Sequence, residues 1–506
     1  MNIGMLLDMA ASAAPDRMAT GTGPGRLTYA GLRDGAWRAG AFFRERSAEY
    51  VSLIDVNSPA VPLALFGAAA AGAAFAPINY RLPDQRMARL LERVAPGVVI
   101  AGDGVAERIG APPPGVSLVS RTDFLAACAT GVPSPPPAEP RPQDVAALLF
   151  TSGTTGEPKG AVLRHQNLTS YVISTVEFMA ASDADCALIS VPAYHIAGIS
   201  AVLSSTYSGR RVIQLPQFDE REWVELARLE SVTQAMIVPT MLGLILDVLE
   251  GSSAPHLPAL RTLSYGGGPM PLAVIERAMR LLPHVGFVNA YGLTETSSTV
   301  TVLTPQDHRD AWRSRDATVR ARLSSVGRPL PSVEISVRDD AGNPVPAGVR
   351  GEVWVHGGQV AGEYAGLPTA TSGGWFPTRD EGHLDNDGYL FIHGRLDDVI
   401  VRGGENLSPG AIEDVLRSHP AVRDAAVVGL PDDRWGERVA AMVVLDEAAP
   451  ASAEELQAHV RARLRSTMTP ALISFTGQLP YNETGKLLRR VVRSIFLADE
   501  PGETHE

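Results

Sequence analysis

Short apolar runs, Tyr50–Asp55, Gly97–Ala101, Ala146–Thr151, Cys186–Val191 and Ala235–Val238, are each bounded by turn residues. Longer stretches of helical period, such as Glu222–Leu229 and Ala273–Leu282, lie between them. Strands alternating with helices in this way predict an α/β architecture with a largely parallel sheet. From about Val333 the texture changes: Val333–Arg338 and Glu352–His356 alternate apolar and polar residues between Gly and Asn turns, the pattern of a more antiparallel region. After Arg395 a compact α+β pattern begins, with helix Pro409–Ser418, strands Asp424–Gly429 and Val439–Leu445, and helix Ala453–Ser466. A chain of 506 residues is too long for one core. The expectation is a large N-terminal domain, residues 1–395, of mixed sheets with packed helices, and a small mobile C-terminal α+β domain, residues 396–506. The turn and charged cluster Gly394–Asp398 would join them.

A formal net charge of −12 argues against nucleic acid or an anionic membrane as a partner through bulk charge. Only Cys128 and Cys186 are present, which excludes a disulfide framework or a cysteine zinc site and fits a reducing, cytoplasmic setting. Met1–Met9 has no basic residue before its short apolar stretch and is broken by Asp8, so it reads as a capping helix rather than a secretory signal. Val56–Tyr80 is uncharged and long enough to suggest a membrane span. It is mostly Ala and Gly, however, and contains Pro59, Pro62 and Pro77. Ala and Gly gain little by transfer to lipid but allow close packing, so a buried core helix is expected and no integral membrane segment. The Pro-rich run Pro133–Pro142 reads as an extended linker.

That linker leads, by way of the apolar run Ala146–Phe150, into Thr151-Ser-Gly-Thr-Thr-Gly-Glu-Pro-Lys-Gly160. Glycines 153, 156 and 160 let backbone N–H groups approach an anion with no Cβ in the way. Thr151, Ser152, Thr154 and Thr155 add neutral donors, and Lys159 adds charge. A Walker A loop would need Gly-Lys followed by Ser or Thr, which this segment lacks. Taken alone, such a loop is usually simply a loop.

Five further segments follow it in order: Tyr291-Gly-Leu-Thr-Glu295; Asp380 with Gly388-Tyr-Leu and Gly394-Arg395; Asp397-Asp-Val-Ile; Gly403-Gly-Glu-Asn406; and Thr484-Gly-Lys486. Together with the loop they resemble the motifs of the adenylate-forming superfamily, which comprises acyl- and aryl-CoA ligases, nonribosomal peptide adenylation domains and luciferases. The resemblance runs from about Ala146 to Arg490, and the N-terminal part matches in general texture only.

What the resemblance implies is an enzyme that uses ATP, Mg²⁺ and coenzyme A to activate a small carboxylic acid. Thr151, Ser152, Gly153, Thr154, Thr155 and Lys159 would hold phosphates. Gly266, Gly267 and Gly268, with Ala290, Tyr291 and Gly292, would flank the adenine. Thr294 would contact phosphate or acyl oxygens, and Glu295 would ligate the metal, as suits a hard carboxylate oxygen. Asp380 and Arg395 would reach the ribose; an ion pair between these two is the plainer reading. Lys486, otherwise an ordinary surface lysine, would meet the reacting carboxylate and α-phosphate. The acyl pocket would be lined by Tyr194, His195, Ile199, Val238, Met241, Tyr265 and Gly267, with His195 at its wall toward the thiol tunnel. Gly403, Gly404 and Glu405 would line the CoA path, and Asp397 would be the hinge on which the C-terminal domain turns between the two half-reactions.

Three further points bear on chemistry. No carboxylate lies between Val191 and Ser200, where amino-acid-activating relatives commonly place an Asp to hold the substrate amine. An α-amino acid is therefore disfavoured. Thr378-Arg379-Asp380 departs from the family's usual Thr-Gly-Asp, which restricts the backbone and adds a cation near the expected nucleotide. The second nucleophile is an open question within the superfamily: the thiol of CoA is the leading expectation, an amine or a carrier-protein thiol the alternative. A homodimer is a permitted assembly.

Overall fold

The computed structural model describes residues 1–499 except 137–138, 153–157, 253–255, 403–404, 433, 447–448 and 483–486. The chain divides into two compact units, Met1–Ile335 with Val355–Phe376, and Ser336–Trp354 with Pro377–Glu506.

The first unit is α/β. Its nine-stranded sheet runs, from one edge, through Arg328–Pro329, Ser298–Leu303, Gly286–Leu293, Thr262–Gly266, Gln234–Ile237, Cys186–Ile189, Arg211–Gln214, Met18–Thr20 and Leu27–Thr28. The central strands from Gly286–Leu293 to Arg211–Gln214 pair in parallel, as the strand–helix alternation predicts. A six-stranded sheet orders Val116–Ser120, Gly97–Ala101, Tyr50–Ile54, Ala74–Phe75, Val145–Ser152 and Pro158–Arg164. Its last two strands form an antiparallel hairpin.

The uncharged stretch contains the helix Ala60–Ala71, whose side chains are buried almost throughout. The reason for its composition is close approach to the helix Tyr29–Glu45. A Cβ built on Gly67 would lie 2.6 Å from Ala39 Cβ, and one on Gly40 would lie 2.8 Å from Ala70 Cβ. No helix among the described residues is long and apolar enough to cross a membrane. The first helix, Ile3–Ala13, is capped by the Asn2 side chain and sinks Ile3, Leu6, Leu7 and Ala10 into the same core.

The second unit holds most of a four-stranded sheet, ordered Val333–Arg338, Gly351–Gly357, Phe376–Leu384, Leu390–Arg395, and all of a five-stranded one. In the latter the long hairpin Val422–Asp432/Gly436–Leu445 is flanked by Ile400–Arg402 and Leu472–Phe475 and covered by helices Pro409–Arg417, Ala453–Arg461 and Arg489–Asp499. One predicted helix is shorter than expected. It stops at Arg461 rather than Ser466, and Leu464 turns in against the apolar cluster of Ile412, Leu416, Leu456 and Val460.

Candidate active site

Thr151 and Lys159 face each other across the antiparallel hairpin. Thr151 Oγ1 donates to the Lys159 carbonyl at 3.4 Å, and Lys159 Nζ stands 5.6 Å from the centre of the Tyr364 ring. Of the other loop residues, the side chain of Ser152 and all of Gly153, Thr154 and Thr155 lie outside the described residues.

The two segments expected at the adenine are neighbours in the nine-stranded sheet. Strands Thr262–Gly266 and Gly286–Leu293 run in parallel with Gly266 opposite Ala290. They are close enough that a Cβ on Gly266 would fall 2.2 Å from the Ala290 carbonyl oxygen. The next residue, Gly267, takes φ +82°, which turns Gly267 and Gly268 away from the strand. Gly292 is just as confined, since a Cβ there would lie 1.8 Å from the Ser298 carbonyl oxygen.

Past Gly292 the chain makes a short 3₁₀ turn, Thr294–Thr296, which brings Glu295 to a nearly buried position. Its carboxylate Oε1 accepts a 2.6 Å hydrogen bond from the Tyr364 hydroxyl, and its backbone oxygen accepts from the N–H groups of Ala361 and Gly362. Gln359 Nε2 braces the same turn by donating to the carbonyls of Thr296 and Thr299. Residues 359–364 thus fix Glu295 from a distant part of the chain. A buried carboxylate held on one oxygen by a neutral hydroxyl keeps lone pairs for a hard cation, so the donor chemistry fits Mg²⁺.

The expected acyl-pocket residues are apolar and largely buried. Tyr194 and His195 precede the helix Ile196–Tyr207, which carries Ile199; their ring centroids are 4.7 Å apart. Val238 and Met241 begin the helix Pro239–Glu250, and Val238 Cγ1 lies 3.7 Å from where a Gly267 Cβ would be. His195 Nε2 is buried with no hydrogen-bond partner among the described residues, and burial lowers its pKa to about 4, so the ring is neutral at pH 7. Tyr265 is fully buried, and its hydroxyl meets His308 Nε2 at 2.8 Å. His308 Nδ1 lies 2.8 Å from the Thr304 carbonyl, an oxygen that can only accept. The proton therefore sits on Nδ1, and Nε2 accepts from Tyr265. Burial lowers this pKa too, to about 4.

In the second unit Asp380 and Arg395 lie opposite each other on paired strands, with Arg395 Nη1 3.2 Å from Asp380 Oδ1 and 2.7 Å from the Thr378 carbonyl. Between Thr378 and Asp380, Arg379 keeps the left-handed backbone a glycine would take, φ +63°. Its guanidinium donates to Asp397 Oδ1 at 2.9 Å and lies 3.7 Å from Glu352 Oε1. A left-handed non-glycine residue carries about 1–2 kcal/mol of strain. A pair this exposed is worth about 0–1 kcal/mol. The contact does not offset the strain. Glu405 is held by Thr467 Oγ1 at 3.0 Å and lies 3.6 Å from Arg465 Nη1. Gly403, Gly404 and Lys486 lie outside the described residues. Tyr481 and Leu487 bridge on either side of 483–486, and Arg489 Nη2 donates to both carboxylate oxygens of the buried Glu413, at 2.6 and 2.7 Å.

Residues 7–365 match the AMP-binding enzyme family, and residues 411–486 match the AMP-binding enzyme C-terminal domain. The chain belongs to the AMP-binding enzyme family. Among its relatives, a fatty acid–[acyl-carrier-protein] ligase of Streptomyces coeruleorubidus is 35% identical over 450 residues, 86% of this chain and 84% of that protein. A feruloyl-CoA synthase of an Amycolatopsis species is 35% identical over 496 residues, 96% and 97% of the two chains. Similar solved structures include the o-succinylbenzoate CoA synthetase of Bacillus subtilis in complex with its acyl-adenylate intermediate, at TM-score 0.83 and 27% identity, covering 99% of each chain. The amide bond synthetase McbA of Marinactinospora thermotolerans has TM-score 0.84 and 27% identity, covering 98% of this chain and 99% of that one.

Two features of this AMP-binding enzyme were not legible in the motifs. Tyr364 bonds Glu295 from 69 positions away, and no spacing rule links them. Arg489 is tied to the buried Glu413 from 76 positions away, which no motif spacing signals. The signal that could have found it is the pattern of the helix Pro409–Arg417, where Glu413 follows Ile412 on the buried face.

Proposed function

We propose that this enzyme activates an apolar monocarboxylic acid, aryl or medium-chain acyl, with ATP, giving acyl-AMP and pyrophosphate, and then transfers the acyl group to coenzyme A. The observation that carries the reading is the pairing of Gly266, the last residue of its strand, with Ala290 on the parallel strand that leads into the turn of the buried carboxylate Glu295. Full-length likeness to a feruloyl-CoA synthase supports the same two-step chemistry.

The adenine would lie between Gly266–Gly268 and Ala290–Gly292, near the Tyr291 ring, and the triphosphate along Thr151–Thr155 and Lys159. Glu295, oriented by Tyr364, would hold Mg²⁺. Bound there, the ion would offset phosphate charge. Asp380 and Arg395 would share the ribose hydroxyls, Asp380 by accepting from them. Lys486 would offset the repulsion between carboxylate and α-phosphate as charge moves to pyrophosphate. Thr294 would bind an oxygen of the same centre.

Neutral His195 would wall the acyl site with Tyr194, Ile199, Val238, Met241, Tyr265 and Gly267. The segments Tyr194–Ser200, Val238–Leu242 and Tyr265–Gly268 carry no Arg, Lys, Asp or Glu, so a second charge on the substrate would be buried unpaired. For the second step the C-terminal domain, from residue 396, would turn about Asp397, withdraw Lys486 and present Gly403, Gly404 and Glu405 to the pantetheine. Alternation of this kind also keeps water from the mixed anhydride. We place the reaction in the cytoplasm, which suits the two buried free thiols Cys128 and Cys186.

A carrier-protein or amine acceptor is the second reading, favoured by the acyl-carrier-protein ligase and the amide bond synthetase among the similar proteins. An acid-panel assay of pyrophosphate release with CoA, with hydroxylamine and with neither separates the readings. CoA-dependent turnover supports thioester formation. Release that hydroxylamine stimulates and CoA does not would assign the acceptor elsewhere.

A further inference from the structure

The turn Leu396–Asp398 joins the strand Leu390–Arg395 of one sheet to the strand Ile400–Arg402 of the next. Its two adjacent carboxylates are tied in opposite directions along the chain. Asp397 accepts from Arg379, which stands on the strand Phe376–Leu384 before the turn. Asp398 accepts from Arg489 Nη1 at 3.3 Å, and Arg489 belongs to the helix Arg489–Asp499 after the turn, where Glu413 anchors it. Arg379 reaches Asp397 from a left-handed backbone at φ +63°, and stability does not account for an arginine there, because the strain exceeds what the exposed pair returns. Glu352 Oε1, 3.7 Å away, gives the guanidinium a second acceptor on its own side of the turn.

We propose that Arg379 is a positioning residue for the joint: its pair with Asp397 holds the φ torsion of that residue in one setting and opens when rotation about it turns the C-terminal domain. The geometry supplies the reason. The carboxylate rides on the Asp397 Cβ, so rotation about the φ of Asp397 carries it away from a guanidinium held on the N-terminal side of that bond, on the strand Phe376–Leu384. Release leaves Arg379 facing Glu352 rather than unpaired. This inference rests on the two-arrangement reading given above and adds to it the residue that biases the pivot.

The test uses the full-length enzyme with Arg379→Met, which removes charge and keeps the strain; Arg379→Gly, which removes both; and Arg379→Lys, which keeps the charge. Adenylation is measured as acyl-AMP formed in a single turnover without CoA, and transfer as thioester formed from supplied acyl-AMP and CoA. Each is run at about 50 mM and about 500 mM salt, since screening weakens an exposed pair. The expected result is a change of roughly two- to fivefold in the ratio of the two rates for Arg379→Met and Arg379→Gly, the scale of one exposed ion pair. The KM for ATP should be unchanged, the salt dependence of the ratio lost, and Arg379→Lys should recover part of both. A raised KM for ATP with an unchanged ratio would overturn the proposal in favour of a contact with nucleotide. An unchanged ratio with the salt response intact would make the pair a surface contact only. Failure of the two-arrangement reading shows separately: Lys486→Ala and Gly404→Leu, run alongside, would then each depress both half-reactions equally.

Discussion

The Tyr364 hydroxyl donates a 2.6 Å hydrogen bond to Oε1 of Glu295, and the peptide N–H groups of Ala361 and Gly362 hold the Glu295 carbonyl. The turn that carries the proposed metal ligand is thus built by residues far along the chain. Removing the hydroxyl should act on the metal rather than on the acid.

Tyr364→Phe is therefore expected to lower kcat/KM for Mg·ATP by about 10-fold, the scale of one hydrogen bond to a charged group. The KM for the acid should be unchanged, and raising free Mg²⁺ should recover part of the loss. Initial-rate measurements over a Mg²⁺ series check this. An equal rise in the KM for the acid would mean that the hydroxyl supports the pocket as a whole.

Gly266 and Gly267 are expected to respond differently to a methyl group. In Gly266→Ala the new Cβ would meet the Ala290 oxygen at 2.2 Å, so two paired strands must separate. A loss of about 1–3 kcal/mol of stability, the usual scale of overpacking, should accompany loss of ATP binding. In Gly267→Ala the space is open, with Val238 Cγ1 at 3.7 Å, and only the positive φ resists. Thermal melts with and without ATP should give the larger fall, and the lost ligand-induced shift, for Gly266→Ala.

Acid should destabilise the protein before its carboxylates titrate. His165 and His308 are buried and the Nε2 of half-buried His195 is enclosed, and desolvation lowers the pKa of each from 6.5 to about 4. Between those values the unfolded chain binds more protons than the folded one, so stability rises with pH in that window and is lost as pH falls through it. Urea midpoints from pH 7.5 downward should decline below about pH 6.5, the unperturbed histidine value. His308→Gln, which keeps polar atoms facing Tyr265 and Thr304 but cannot titrate, should flatten part of that slope. A slope unchanged in the variant would place the titration elsewhere.

The two half-reactions should separate by mutation. Lys486→Ala is expected to slow acyl-AMP formation by on the order of 10² or more, the scale of one preorganised electrostatic group, and to leave thioester formation from supplied acyl-AMP nearly normal. Gly404→Leu should form and retain acyl-AMP but transfer it poorly to CoA. Normal transfer in Gly404→Leu would point to another acceptor path.

Substrate charge is a further discriminator. Because the segments around Ile199, Met241 and Gly267 carry no ionised side chain, malonate and free α-amino acids should be poor substrates beside aryl or medium-chain monocarboxylates. Comparing kcat/KM across such a panel checks this, and a preference for malonate would contradict it.

What could be read without coordinates was local. The strand leading into Thr151–Gly160, the helical period of Ala273–Leu282 and the Ala- and Gly-rich composition of the helix Ala60–Ala71 each depend on residues close together in sequence, and the ordered motifs were sufficient for the family. Arg379 was visible as a departure from a motif, but its partner was not. Which carboxylate it meets depends on how the strand Phe376–Leu384 lies against the turn Leu396–Asp398. The same holds for Tyr364 and Glu295, for Arg489 and Glu413, and for the carbonyl of Ala290 that leaves Gly266 no room for a side chain. Sequence periodicity specifies which face of an element is buried, whereas strand order and register decide what that face meets. Those depend on packing between residues tens of positions apart, so the tertiary structure alone settled which groups stand beside the proposed reacting ones.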